Sequence, residues 1–221
     1  MVREIPSSSF QALPRLGHGR QGVVYDLGDG KCLKVYQPDH VSCAELEFRN
    51  MEMLLAANVR APIPYELVTV VRDGPLVVPR EQFEGGYVLK DLPDIERVSG
   101  LVREYLVGKP YGSFRPTLEN FCALLAYVEH ANERGFAFSD GAPENFLFTG
   151  TSASCIDCAA IVSETMYQQH SNPSQRFREA ALVYRKDLLN HLREDLITKR
   201  ICDALAVEDL YSRAGLLVRY S

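Results

Sequence analysis

The chain is expected to fold as an α+β protein in two lobes, with strands in the first part and helices in the second. Three observations carry this. Short β-branched runs punctuated by glycine turns occupy residues 1–92, and longer segments with apolar residues at helical spacing occupy residues 93–221. The length of 221 residues, with 46% hydrophobic and 24% charged side chains, suits one domain or two small lobes with a real core. No internal repeat and no long linker interrupts the pattern.

The first lobe begins with Ser9–Leu16, which leads into a glycine loop. Val23–Leu27 is a β-branched run closed by Gly28-Asp29-Gly30, a hairpin turn signal, and Cys32–Tyr36 is its partner strand. A helix is expected from about Ser42, which would cap it, with Leu46, Met51, Leu54 and Leu55 as its apolar positions. Ala61-Pro62-Ile63-Pro64 stops it. Strands are then expected at Glu66–Val71, Leu76–Val78 and Gly86–Leu89, with Lys90–Pro93 as the exit. In the second lobe, Pro116-Thr117 opens a helix with Leu118, Phe121, Leu125 and Val128 on one stripe and Gly135 as its stop. Asn145–Phe148 and Ser154–Asp157 read as a small hairpin around Thr149-Gly150. A last helix runs from Ser174 to about Leu205, with Phe177, Ala181, Tyr184, Leu188 and Leu192 along one stripe.

Composition excludes several classes. The formal charge of −5 leaves no basic footprint for nucleic acid. No stretch approaches the roughly 18 apolar residues of a membrane span, and Met1–Gln11 has no apolar signal-peptide segment. Its serine-rich start has the composition of a bacterial type III export signal, without a pattern that would identify one. The six cysteines sit mostly in apolar segments, where a thiol behaves as a small hydrophobe. Cys155-Ile-Asp-Cys158 has no second pair to complete a zinc site, so packing is its expected role.

Four short motifs carry the chemistry. Gly17-His-Gly19-Arg-Gln-Gly22-Val-Val has the spacing of a flap that lies close over nucleotide phosphates, where side chains would hold the backbone away. A strand follows it, whereas the dinucleotide fingerprint with the same glycines opens a helix. Lys34, between Leu33 and Val35, is placed to meet α- and β-phosphates and needs an acidic partner on the next helix. Glu45, Glu47 and Glu52 are the candidates; Glu47 is preferred because Met51 and Leu54 fall four and seven residues later on its face. Asp140 and Asn145 have the Asp-x-x-x-x-Asn spacing of a base and a metal ligand, with Pro143 stiffening the loop. Asp157, after Ile156 at a strand end, is the second expected metal ligand. These residues imply ATP and Mg²⁺.

From about Leu16 to Ala160 the chain resembles a protein kinase, which implies a minimal two-lobed kinase-like fold with a truncated second lobe. In particular it is similar to the very small bacterial type III effector kinases of the HopBF family, which mimic a client and phosphorylate the host Hsp-ninety chaperone. That resemblance implies phosphate contact at Gly17, Gly19 and Gly22, phosphate binding by Lys34, a base at Asp140, and metal ligation by Asn145 and Asp157. It further implies a monomer secreted into the host cytoplasm, or else a cytoplasmic protein, that transfers phosphate to a protein hydroxyl, serine or threonine ahead of tyrosine.

Several features depart from the usual kinase pattern. Phe138-Ser139 replaces the His-Arg before the catalytic aspartate, removing the anchor for a phosphorylated activation loop. Ala142 stands where a γ-phosphate lysine is usual, Cys158-Ala159 replaces Phe-Gly, and no Ala-Pro-Glu follows. Two alternatives stay open on the sequence. One is a small-molecule kinase of the aminoglycoside or choline type. The other is a pseudokinase that binds partners without catalysis.

Overall fold

The computed structural model describes residues 2–81, 87–111, 113–114 and 117–198. The chain is an α+β protein divided into two compact units: residues up to Ala56 with Ala61–Leu106, and Ala57–Arg60 with Val107 onward. The expected boundary at 92/93 falls before this division, because one more strand belongs to the first unit.

In the first unit, β1 (Arg3–Pro6), β2 (Arg15–Gly19), β3 (Gly22–Gly28), β4 (Lys31–Tyr36), α1 (Val41–Ala56), β5 (Pro64–Val71), β6 (Val77–Glu81), β7 (Tyr87–Asp91) and β8 (Arg97–Glu104) follow in order. Six of these strands form one sheet in the order β1-β5-β8-β4-β3-β2, and β6 pairs with β7 separately. Alternation along β3 and β5 turns Val23, Tyr25, Val68 and Val70 into a core with Phe10, Leu33, Val35, Leu76 and Val98. Phe10 and Tyr25 pack with ring centroids 4.9 Å apart, and each fully buried side chain of this kind stabilises by about 1.5–3 kcal/mol.

Two strands of this sheet escape the sequence reading. β8 lies between β4 and β5 (Leu33 opposite Val102, Leu67 opposite Leu101), yet Gly100 interrupts its pattern. The glycine is there for space: a Cβ on Gly100 would lie 2.8 Å from Val68 Cγ2. β1 runs parallel to β5 within a segment that composition marks only as polar. Ser8 binds Asp73 through its backbone N–H (2.8 Å) and its hydroxyl (2.6 Å), so the serine run is part of the fold.

Helix α1 is entered directly from a 3-10 turn at Pro38–His40, so Ser42 is already helical and is not its cap. Its inner face carries Ala44, Glu47, Asn50, Met51 and Leu54. The strand expected at Leu76–Val78 begins one residue later and runs to Glu81. Gly86, expected to open the next strand, lies outside the described residues.

The second unit contains β9 (Lys109–Pro110), α2 (Leu118–Glu133), β10 (Phe136–Phe138), β11 (Phe146–Thr149), β12 (Ser152–Cys155), β13 (Ile161–Ser163) and α3 (Pro173–Thr198). Thr117 caps α2 in a reciprocal capping box with Asn120, and Gly135 ends it at φ +83°. Pro116, and the end of the last helix expected near Leu205, lie outside the described residues. β11 and β12 make the expected hairpin, with β9 on its other edge. Phe177, Ala181, Leu188 and Leu192 of α3 are buried, as its stripe predicts. Tyr127 of α2 packs on Phe138 and Phe146 (centroids 5.6 and 6.1 Å) and donates its hydroxyl to the Arg60 carbonyl at 2.6 Å. Burial first, then the neighbouring Cys155 and Cys158 thiols, hold the Tyr127 hydroxyl well above its ordinary pKa.

Candidate functional site

In the first unit the glycine motif is a β-hairpin. Gly19 pairs with Gly22 across a two-residue turn made by Arg20 and Gln21, and Gly17 pairs with Val24. The three glycines differ in what they do. A Cβ on Gly22 would lie 2.1 Å from the Val35 carbonyl oxygen, so β4 itself demands a glycine there. Around Gly17 and Gly19 no atom of the described residues, chain neighbours aside, lies within 4 Å of such a Cβ, and neither has a positive φ. Neither packing against the described residues nor a positive φ requires glycine at these two positions.

Lys34 sits on β4 opposite Val24 of the hairpin. Its Nζ donates to Glu47 Oε2 at 2.6 Å and to Gln21 Oε1 at 3.0 Å. Of the three helix acids, Glu47 is the one that meets it, and it is 0% exposed while Glu45 and Glu52 face solvent. The Tyr36 hydroxyl also donates to Glu47 Oε2, at 2.7 Å, and Arg103 Nη1 donates to Oε1 at 3.1 Å. One buried carboxylate thus receives an ammonium, a guanidinium and a phenol. Lys34 Nζ stands 5.0 Å from the centre of the Tyr36 ring, which adds a cation–π contact.

The sequence reading missed Tyr36, Arg103 and Gln21. Tyr36 was within reach, since it lies two residues after Lys34 and a strand repeats its face every two residues. Arg103 was hidden with its strand.

In the second unit two backbone ladders gather the other candidates. At the open end of the β11–β12 hairpin, Ile156 N–H donates to the Asn145 carbonyl at 2.8 Å, one step beyond the Phe146–Cys155 pair. Asn145 and Asp157 therefore leave the same end. β10 pairs with β13, and Ser139 N–H extends that ladder to the Ala160 carbonyl at 2.9 Å. Asp140 follows Ser139, and Ala160 lies three residues after Asp157, so the segments that carry Asp140, Asn145 and Asp157 are all tied by backbone bonds to residues 156–160.

Local bonds hold each residue. Asp140 is exposed, and its Oδ1 accepts the Ala142 N–H at 3.1 Å in an Asx turn. Pro143 opens a 3-10 turn through Asn145. Gly141 rests on α3: a Cβ there would lie 2.9 Å from the Leu188 nitrogen. Asp157 is half-buried and caps the Cys158–Ala160 turn, with Oδ1 accepting the Ala159 N–H at 3.3 Å. Cys155 and Cys158 are buried, the Cys155 thiol donating to the Asp157 carbonyl at 3.2 Å.

Asn145 and Asp157 bring hard oxygen donors, the type that suits Mg²⁺. Among the described residues no group of three His, Cys, Asp or Glu side chains is placed to hold a metal ion. A magnesium ion here would take its remaining ligands from water and phosphate oxygens, its usual habit. No helix among the described residues is long and apolar enough to cross a membrane. No protein-family model matches the chain, and no curated protein sequence matches it.

Proposed function

We propose that this protein is a minimal, kinase-like, ATP- and Mg²⁺-dependent enzyme that transfers the γ-phosphate to a serine or threonine hydroxyl of a protein substrate. The observation that carries this reading is the buried Lys34–Glu47 pair, 2.6 Å apart, on the strand that backs the glycine hairpin. A buried ion pair is a weak stabiliser, because desolvation offsets most of the attraction and apolar side chains of the same size would serve the fold as well. Keeping an ammonium there makes sense if it must be held in one place for an anionic group. The space around Gly17 and Gly19 supports the same reading.

In this reading Lys34 binds the α- and β-phosphates and Glu47 orients it. Asp140 takes the proton of the substrate hydroxyl from its exposed loop, and Asn145 and Asp157 hold the metal. Bound Mg·ATP supplies the phosphoryl group and neutralises its charge. The resemblance to the HopBF effectors makes a host Hsp-ninety-type chaperone the first substrate to try, with secretion by a type III system as the corresponding route.

The test is transfer of label from γ-labelled ATP with Mg²⁺ in a eukaryotic lysate, and separately to purified Hsp-ninety-type chaperone. A labelled protein that disappears with Asp140→Ala is the expected result. A parent protein that labels nothing in either assay, while binding no Mg·ATP, overturns the reading.

A further inference from the structure

We infer that Arg103 is a positioning residue that fixes Glu47 independently of Lys34. This rests on the reading of Lys34 as a phosphate-binding lysine. Glu47 belongs to α1, which packs on β4, β5 and β8, while Arg103 belongs to β8, between β4 and β5 in the sheet. Arg103 Nη1 donates to Oε1, whereas Lys34 Nζ donates to Oε2, which it shares with the Tyr36 hydroxyl.

The two cations are unequal anchors. Lys34 is a flexible stem whose ammonium already divides its donors between Glu47 and Gln21, and phosphates would draw on it further. Arg103 is only 7% exposed, carries a planar guanidinium of permanent charge, and is rooted opposite Cys32 and Pro64 of its neighbouring strands. A carboxylate held by Lys34 alone would loosen whenever the lysine turned to a ligand. Held by Arg103 and Tyr36 as well, it keeps its place, and α1 stays docked without help from a phosphorylated loop. This agrees with the absence of an arginine at Phe138-Ser139.

The experiment is hydrogen exchange of the α1 backbone amides in the full chain, for the parent, Lys34→Met, Arg103→Met and Arg103→Lys. Lys34→Met should exchange within about threefold of the parent. Arg103→Met should exchange roughly ten- to a hundredfold faster, the change expected for losing one hydrogen bond to a buried charge. Arg103→Lys should fall between them, and it carries the comparison if Arg103→Met does not fold. In turnover, Arg103→Lys should lower kcat for phosphate transfer more than it raises KM for ATP, since the loss is one of orientation. Parent-like exchange in both Arg103 variants, or a Lys34→Met protein whose α1 opens as far as that of the Arg103 variants, overturns the assignment. A parent that transfers no phosphate counts against the kinase reading and leaves the exchange comparison to decide the role of Arg103.

Discussion

Ile156 donates its backbone N–H to the Asn145 carbonyl at 2.8 Å, and this bond sets two separated residues side by side. Asn145 ends one loop and Asp157 begins the next, and the closing rung of a four-residue hairpin holds both at one end. For the two proposed metal ligands, this bond sets where their backbones start.

The first prediction separates structural from functional glycines. Gly22→Ala should destabilise the first unit by about 1–3 kcal/mol or more, because its Cβ would overlap the Val35 carbonyl. Gly17→Ala and Gly19→Ala should stay within about 0.5 kcal/mol of the parent, since they meet open space. Urea unfolding checks this. In the proposed enzyme the same two alanines should weaken ATP binding, measured by calorimetry, while Gly22→Ala acts through stability.

Lys34→Met should abolish phosphate transfer and weaken Mg·ATP binding. It leaves Glu47 with Arg103 and Tyr36, so the protein should still fold, at a loss of no more than about 0.7 kcal/mol, which matches a threefold limit on exchange, rather than the 3–5 kcal/mol of a stranded buried charge. Thermal unfolding and a binding isotherm test the two halves separately. Parent-level transfer would remove Lys34 from the site.

In the proposed enzyme, Asp140→Ala and Asp157→Ala should each cut transfer by orders of magnitude, through loss of the proposed base and of the proposed metal carboxylate respectively. Their stabilities should differ. Asp140 is exposed and its loss should cost about 0.5 kcal/mol. Asp157 caps a turn, and its loss should cost about 1 kcal/mol. Asp140→Ala should retain Mg·ATP binding, whereas Asp157→Ala should lose much of the metal-dependent part.

Phosphatase treatment should leave activity unchanged. Phe138-Ser139 lacks the arginine that pairs with a loop phosphate, and Glu47 already has three donors. A large loss, with ATP and substrate restored, would show that some phosphorylated residue is needed.

Acid should weaken the first unit through Asp91 and Asp73. Arg72, then the Leu76 N–H, holds Asp91 below its ordinary pKa, and Ser8 does the same for Asp73. Carboxylates held low in the folded state stabilise it above the ordinary value, and that stabilisation is lost as pH falls through the depressed one. The unfolding midpoint should therefore drop below about pH 4. Asp91→Asn should start lower at neutral pH and fall less steeply, as urea titrations at several pH values would show.

Local signals in the chain determined a good deal. Glycine spacing, the strand after it, the lysine on the next strand and the Asp-x-x-x-x-Asn loop are short-range features, and each is found at the expected element. Glu47 was legible too, because helical periodicity puts it on the face of Met51 and Leu54. Tertiary structure alone decided what comes from far along the chain. β8 stayed hidden because Gly100, needed for close packing on Val68, looks locally like a break. Arg103 stayed hidden with it, 56 residues from the carboxylate it holds. β1 drew its place from β5, more than sixty residues away, and Ser8 from Asp73. The segments of Asp140, Asn145 and Asp157 are gathered by two ladders, one pairing residues 23–27 apart and the other residues 3–9 apart. Periodicity reports which face of an element is apolar, but only the folded sheet determines which neighbour covers it.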